Sequence, residues 1–121
     1  MPSKKLKEYL KNNPNCVLLD VRTEEEWNID GKPDGEQISL KTFFLTIQFS
    51  DKSFNNNFED QFDKLNIEKD CEILTMCMAG VRSQVAAELI SKKNYKCSNI
   101  SDGFLGNNEE IGWKKNNLPC K

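Results

Sequence analysis

Residues 72–93 read EILTMCMAGVRSQVAAELISKK. The first part, residues 72–77, is a continuous apolar-rich run of strand length, as expected for a strand that is covered on both faces. A loop with one glycine, Gly80, follows, and apolar side chains then recur at helical spacing over residues 83–93. The stretch therefore predicts a buried strand, a tight loop and a helix that packs back onto the strand.

Strands and helices alternate through the rest of the chain. Further helices are predicted at residues 3–12, in a short segment opened by a capping box of Thr23 and Glu26, and at 58–66; further strands are predicted at 17–21, 37–40 and 97–101. The pattern of residues 42–49 fits either a strand or a helix. Residues 50–57 are predicted to form a loop, and residues 102–121 a loop with a helical turn near Trp113. The alternation predicts a single α/β domain over residues 1–121, with a parallel sheet.

Composition and charge exclude several classes of function. A chain of 121 residues is long enough for one domain with one hydrophobic core. Its 17 basic and 19 acidic side chains give a net charge of −2, so the broad positive surface that nucleic acids require is not expected. The absence of histidine excludes Ser-His-Asp and Cys-His catalysis and any metal site that depends on imidazole. We expect neither a nucleic-acid partner nor a bound metal.

The cysteines and the N-terminus indicate a cytoplasmic protein. Residues 1–15 contain lysines but no apolar run behind them, so no signal peptide is expected. No stretch approaches the roughly 20 apolar residues that a membrane span requires, so no membrane partner is expected. The five cysteines include no C-x-x-C pair, which argues against a disulfide framework or a zinc cluster. The alternative is an exported protein in which some cysteines are paired.

Cys77 is the candidate nucleophile. It ends a predicted buried strand just before a helix, which is where open α/β sheets place their ligands. Backbone N–H groups and the helix dipole can converge on that point, Gly80 permits a loop that turns amides inward, and Arg82 adds a positive charge. Such surroundings favour a thiolate over a thiol, so Cys77 would need no general base. The alternative is an inert core cysteine.

Further motifs support this interpretation. Cys77 to Ser83 follow the pattern C-x-x-G-x-R-S; the other segments are Asp20, Val21 and Arg22 followed by Glu26 and Trp27, the stretch GKPDG at 31–35, Asp102, Gly103 and Phe104, then Gly112 and Trp113, and finally Leu118 and Pro119. In their order along the chain, these segments resemble the motifs of the rhodanese-like family of single-domain sulfurtransferases, and they cover nearly the whole chain.

The resemblance implies a fold and a reaction. The fold would be a five-stranded parallel sheet with helices on both faces. Cys77 would attack the outer sulfur of a small donor such as thiosulfate, hold it as a persulfide, and pass it to cyanide, a thiol or a protein acceptor, without a metal or organic cofactor. The active-site loop would span residues 77–82. The expected substrate-binding residues, whose amides would stabilise the sulfur, are Met78, Ala79, Gly80, Val81, Arg82 and Ser83.

Two other functions fit the same residues. A persulfide relay or binding module would share the fold and the persulfide but would turn over only with a protein partner. A phosphatase or arsenate-reductase-like enzyme would use the related pattern H-C-x-x-x-x-x-R, whereas here Met76 precedes the cysteine and Arg82 comes one residue early. A tetrahedral phosphate needs the wider loop, so the spacing favours sulfur transfer.

The chain departs from the family pattern beside the nucleophile. Family members often carry Arg and Ser directly after the cysteine, where this chain has Met78 and Ala79. The rim of the site is thereby less cationic, so we expect weak activity with thiosulfate and a natural donor that is apolar or carried by a protein. The extra residues 106–111 form either a lid near the loop or a simple surface insertion.

The sequence allows two roles for Arg82 and predicts structural roles for its charged neighbours and for the remaining thiols. Arg82 contacts substrate or forms an ion pair with Glu26 or Asp20, whereas Asp20 and Arg22 are expected to be scaffold. The other four cysteines are expected to pack rather than to resolve a disulfide; they are Cys16, Cys71, Cys97 and Cys120.

Overall fold

A four-stranded parallel sheet organises the protein, whose computed structural model describes residues 1–121. The strands are β1 (Cys16–Asp20), β2 (Lys41–Phe44), β3 (Glu72–Met76) and β4 (Lys96–Asn99), in the order β2-β1-β3-β4. Every residue of β1 and β3 is buried, because these two strands are central and covered on both faces. The register pairs Asp20 with Met76, so the ends of the central strands lie side by side.

Helices cover both faces of the sheet, as expected. They are α1 (Leu6–Asn12), α2 (Glu24–Asp30), α3 (Phe58–Lys64), α4 (Val81–Ser91) and α5 (Gly112–Lys115), with short 3-10 helices at Ser3–Lys5 and Gly35–Ile38. One core cluster includes Phe58 of α3 and Ala86 of α4, and the other includes Leu6 of α1 and Trp113 of α5. The sheet separates these two clusters, since alternate residues of β1 and β3 contribute to each.

The expected fifth strand is absent, and the strand predicted at residues 37–40 is wrong. Ile38 and Leu40 alternate with polar residues and so imitate a strand, but Gly35–Ile38 is a 3-10 helix. Ser39 follows with a positive φ of 59°, and the Leu40 amide closes the turn on the Gly35 carbonyl at 2.9 Å. The extended backbone begins only at Lys41, so β2 takes the start of the segment that fitted either a strand or a helix.

The boundary between β3 and α4 also differs from the prediction. The strand ends at Met76 and the helix begins at Val81, two residues before the predicted start at Ser83. Gly80 is the N-cap residue, with a φ of 110°. The loop that carries Cys77 is therefore residues 77–80 rather than 77–82, and Arg82 and Ser83 belong to the first turn of α4.

A buried ion pair fixes the chain just beyond β1. Asp20 and Arg22 are both fully buried, and the Arg22 Nη2 lies 2.9 Å from the Asp20 Oδ2. The same guanidinium donates to the Gly31 carbonyl at 2.9 Å and lies 4.1 Å from the ring centre of Phe104. These contacts join the end of β1 to the end of α2 and to the segment after β4, which agrees with a scaffold role for Asp20 and Arg22.

No helix combines the length and the hydropathy that crossing a lipid bilayer requires.

Candidate active site

Cys77 lies at the carboxyl edge of the sheet, where three segments meet. It is the first residue after β3, and its loop packs against the segment that follows β4. The Phe104 amide donates to the Cys77 carbonyl at 2.8 Å. On the other side, the Val21 amide donates to the Met76 carbonyl at 2.8 Å, so the chain leaving β1 runs alongside. The sequence places Cys77 here because parallel strands end at a common edge.

The carbonyl groups of loop 77–80 are all held by one neighbouring segment, residues 99–107. The donors to the carbonyls of Cys77, Met78, Ala79 and Gly80 are, in order, Phe104 N at 2.8 Å, Leu105 N at 3.1 Å, Asn107 Nδ2 at 3.2 Å and Asn99 Nδ2 at 2.9 Å. In a trans peptide the N–H points away from the C=O. With each carbonyl turned toward residues 99–107, the following amides turn away from that segment.

Two glycines permit this close packing of loop and segment. A Cβ on Gly80 would collide with the Ser101 carbonyl oxygen, and the φ of 110° at Gly80 is one that L side chains rarely adopt. A Cβ on Gly103 would lie 2.5 Å from the Cys77 carbonyl oxygen. The two backbones therefore touch with no space for side chains between them, and the loop conformation depends on both residues.

The sulfur of Cys77 accepts hydrogen bonds from two groups. The Gly80 N–H donates to the Cys77 Sγ at 3.2 Å, and the Ser83 hydroxyl lies 3.3 Å from it. That hydroxyl is also 3.2 Å from the Gly80 carbonyl oxygen, so one proton serves two acceptors, and negative charge on the sulfur would draw it toward Sγ. Hydrogen bonds to an ionised acceptor are stronger than those between neutral groups. The arrangement is thus suited to an anionic sulfur.

The start of α4 adds further amides. Val81, Arg82 and Ser83 form its first turn, and the N–H groups of a first turn have no carbonyl of the preceding turn to bind. The partial positive charge of the helix N-terminus acts on the same region. Only one backbone amide of the expected substrate-binding residues, that of Gly80, donates to the sulfur. The expected residues were Met78, Ala79, Gly80, Val81, Arg82 and Ser83. The amides of the other five residues make no hydrogen bond to the sulfur.

Arg82 forms an ion pair with Glu26, one of the two alternatives that the sequence left open. Its Nη1 and Nη2 lie 2.7 Å and 2.8 Å from the two Glu26 carboxylate oxygens. Glu26 also closes the capping box of α2 with Thr23. Burial raises the pKa of Glu26, but hydrogen bonds from Arg82 and Thr23 outweigh it and lower that pKa to about 2; the same carboxylate raises the pKa of Arg82. Arg82 therefore ties the first turn of α4 to α2.

Cys77 is covered in this conformation. Only 1% of its surface is exposed, and its side chain belongs to the core cluster under α3 and α4. A groove of about 230 Å³ opens beside the loop and is lined by Val81, Arg82 and Val85 of α4 together with Ile47, Gln48 and Phe54, but not by Cys77. A reactant must therefore displace part of the loop or of this lining to reach the sulfur.

The structure identifies residues that the sequence motifs did not. Asn99 and Asn107 hold two carbonyls of loop 77–80. Asn107 lies in the extra segment 106–111 and donates to the Ala79 and Ser101 carbonyls, so this segment lies against the active-site loop. The one available sequence signal was the position of Asn99 near the end of a predicted strand, since such residues reach the carboxyl edge.

Sequence comparisons agree with the geometry. The model of the rhodanese-like domain family matches residues 3–110. The uncharacterized protein RP600 of Rickettsia prowazekii is 48% identical over 109 residues, which cover 88% of this chain and 84% of that protein. This level of identity extends the likeness well beyond the cysteine loop.

Solved structures show the same fold. The crystal structure of Rv0390 from M. tuberculosis has a TM-score of 0.85 and 30% identity, and covers 100% of this chain and 95% of that one. A protein from Rhodopseudomonas palustris described as a possible tyrosine phosphatase, RPA3614, has a TM-score of 0.62 and 20% identity, covering 99% and 82% of the two chains; at that identity the likeness shows the fold alone. On the match over residues 3–110, the chain belongs to the rhodanese-like domain family.

Proposed function

We propose that the protein is a sulfurtransferase that carries sulfane sulfur on Cys77 as a persulfide. The observation that carries this proposal is the pair of donors on the Cys77 sulfur, the Gly80 amide and the Ser83 hydroxyl. They stabilise an anionic sulfur without an imidazole, which this chain does not contain. A cysteine nucleophile needs its thiolate form, and amide donors at a helix N-terminus supply that stabilisation.

The reaction consists of two displacements. The Cys77 thiolate attacks the outer sulfur of the donor, a new S–S bond forms, and the donor's bond to that sulfur breaks with its electron pair; from thiosulfate the leaving group is sulfite. An acceptor thiolate or cyanide then attacks the terminal sulfur, and Cys77 leaves again as a thiolate. Neither step transfers a proton to or from the chain, so no general acid or base is required.

The unpaired amides give the persulfide a binding site. The terminal sulfur extends beyond the position of Sγ, and the N–H groups of Met78, Ala79 and the first turn of α4 are available to it. Those donors already have fixed directions because the carbonyls of loop 77–80 are held. Preorganised donors stabilise charge without the cost of reorienting.

The activity is best placed in the reducing cytoplasm. All five cysteines are free, and a persulfide or thiolate carrier survives where thiols stay reduced. Cys77 itself sits within the core cluster, which shields it from adventitious oxidants.

A persulfide relay that serves a protein partner is the second candidate, and the burial of Cys77 favours it. With 1% of the residue exposed and with Cys77 absent from the lining of the adjacent groove, small donors meet a closed loop. The phosphatase alternative finds less support, because a loop of four residues before α4 is narrow for a tetrahedral phosphate.

The test combines a thiosulfate–cyanide assay with a single-turnover assay on persulfide-loaded protein, with dithiothreitol as acceptor. We expect weak turnover with thiosulfate and sulfur transfer from the loaded protein, both lost in Cys77→Ser and kept in Cys97→Ser. Transfer from loaded protein without multiple turnover would favour the relay. Transfer that survives in Cys77→Ser, or hydrolysis of p-nitrophenyl phosphate that depends on Cys77, would contradict the proposal.

A further inference from the structure

An apolar groove lies directly beside the active-site loop. It has a volume of about 230 Å³, and its apolar lining consists of Ile47, Phe54, Val81 and Val85. Three of these side chains are well exposed: Val81 at 76%, Phe54 at 46% and Val85 at 44%. Grouped exposure of large apolar side chains is typical of an interaction surface. Val81 follows the Gly80 N-cap directly, so an occupant of the groove would lie next to the loop that holds Cys77.

The groove continues into an acidic region. A neighbouring depression of about 320 Å³ shares Gln48 and Arg82 with the groove and is lined by Glu25 and Asp30. A third, adjacent depression adds Glu24 and Asp51. We call Glu24, Glu25, Asp30 and Asp51 the acidic rim.

The acidic rim carries uncompensated negative charge. None of its four carboxylates belongs to an ion pair. Arg82 is already paired with Glu26, which leaves Lys52 as the one other basic residue lining these depressions. Hydrogen bonds from the Ser53 side chain and backbone lower the pKa of Asp51, so this member of the rim stays charged at neutral pH.

The negative charge of this surface favours a cationic occupant over an anionic one. A free dianion such as thiosulfate is repelled by the acidic rim and finds no free arginine next to Cys77. A segment with an apolar side chain between lysines or arginines matches both parts, since its apolar group fits the groove and its cations face the carboxylates. Complementary charge also speeds association and rejects partners of the wrong sign.

We propose that the apolar groove and the acidic rim dock a cationic segment of the protein that accepts sulfur from Cys77. This inference rests on the proposed sulfur transfer and names the class of its acceptor. In the transfer step the acceptor's cysteine thiolate attacks the terminal sulfur of the Cys77 persulfide. A new S–S bond forms on the acceptor, the bond to Cys77 breaks, and Cys77 departs with the electron pair as a thiolate.

The experiment uses the full chain loaded as the persulfide and two synthetic acceptors of equal length. One peptide carries a cysteine between leucines and lysines, and the other replaces each lysine by glutamate. We expect transfer to the cationic peptide to be at least about tenfold faster at low salt, and the difference to shrink at high salt. The double variant Glu25→Lys, Asp30→Lys should lose the preference.

A matched variant controls for a general effect of charge. Glu68→Lys, Asp70→Lys reverses two exposed carboxylates next to the start of β3, at the opposite end of the sheet from Cys77, and should keep the preference. Transfer to dithiothreitol should be the same in the native chain and in both variants. Equal rates for the two peptides, or a preference that Glu25→Lys, Asp30→Lys retains, would overturn the docking proposal while leaving sulfur transfer intact.

A binding measurement separates failure of docking from failure of the proposed function. Fluorescence anisotropy with the same peptides, cysteine replaced by serine, requires no persulfide. Tighter binding of the cationic peptide that is lost in Glu25→Lys, Asp30→Lys supports the docking surface even if no sulfur is transferred, and equal binding overturns it. A chain dimer in sedimentation that Val81→Asp dissociates would also overturn it, since the groove would then hold a second copy.

Discussion

Two buried cysteines lie at opposite ends of the sheet and have opposite surroundings. Cys16 begins β1 and is 6% exposed, whereas Cys77 follows β3 and is 1% exposed. The Cys16 thiol donates to the Asn13 carbonyl at 3.1 Å and faces the Glu72 carboxylate at 3.8 Å. The Cys77 sulfur instead accepts from the Gly80 amide and lies within hydrogen-bond reach of the Ser83 hydroxyl.

The two thiols have different hydrogen-bond partners because the direction of the chain differs at the two edges of the sheet. At the amino edge of a parallel sheet the preceding helix ends and leaves its last carbonyls without helical partners; the carbonyl of Asn13, the C-cap of α1, accepts from Cys16. At the carboxyl edge the next helix begins and presents amides. Burial, followed by the Glu72 charge, raises the pKa of Cys16 to about 11, so Cys16 stays a neutral thiol at pH 7.

The largest expected effect distinguishes the two cysteines directly. Cys77→Ser should lower the rate of sulfur transfer by at least about a thousandfold, because the nucleophile is lost. Cys16→Ser should stay within about twofold of the native rate, because its thiol is a neutral donor at the other edge. Both are measured as single-turnover transfer to dithiothreitol. A comparable loss in both variants would remove the distinction.

Backbone geometry at the carboxyl edge gives the next effect. Gly80→Ala places a Cβ against the Ser101 carbonyl at a φ of 110°, and we expect a loss of about 2–4 kcal/mol in the free energy of unfolding. Ala79→Gly, one residue earlier in the same loop, should cost about 1 kcal/mol or less. Urea denaturation measures both. An unchanged midpoint for Gly80→Ala would show that the loop does not depend on its contact with residues 99–107.

The Ser83 hydroxyl should have a smaller effect, on the rate at which the Cys77 persulfide forms. Ser83→Ala removes one of the two hydrogen bonds to the Cys77 sulfur, and we expect roughly a tenfold slower formation of the persulfide, as for one charge-assisted hydrogen bond. The control is Ser91→Ala in the last turn of α4, where the hydroxyl donates only to the Glu88 carbonyl. Equal rates in Ser83→Ala and the native chain would mean that backbone amides alone stabilise the anionic sulfur of Cys77.

The smallest effect concerns the Arg82–Glu26 pair that anchors α4. The pKa of Glu26 is lowered to about 2 from an ordinary value of 4.5. The contribution of the ionised Glu26 side chain to the free energy of unfolding is therefore complete above about pH 4.5, and it is lost as the pH falls toward 2. Because the pair is partly exposed, we expect this contribution to stability to be about 1 kcal/mol. Glu26→Gln should lower stability at pH 7 and flatten this part of the pH profile, whereas Glu59→Gln should not.

The sequence predicted the parts of the fold that depend on short-range patterns. The central strands, the capping box of Thr23 and Glu26, and the position of Cys77 before a helix all follow from periodicity and local signals. The strand at residues 37–40 was wrong because a 3-10 turn ending at Ser39 has the same apolar alternation. The expectation of five strands came from the family rather than from the residues of this chain.

The position of Cys77 at the carboxyl edge was predictable from the sequence, but the residues that hold its loop were not. Cys77 and Gly80 follow from the loop pattern, whereas Asn99 and Asn107 act through contacts with residues 19 and 28 positions away. The ion pair between Arg82 and Glu26 likewise joins residues that are 56 positions apart, and the sequence left both Glu26 and Asp20 as possible partners of Arg82. No local pattern encodes such contacts, because they depend on how the sheet brings distant loops to one edge.

Site-resolved mass spectrometry of the native chain tests the central claim most directly. The protein is incubated with a sulfane-sulfur donor, its free thiols are blocked, and each cysteine-containing peptide is weighed before and after cyanide treatment. We expect a gain of one sulfur atom on Cys77 that cyanide removes, with Cys16 unchanged. A Cys77 peptide that gains no sulfur, or sulfur spread equally over Cys77 and Cys16, would contradict it.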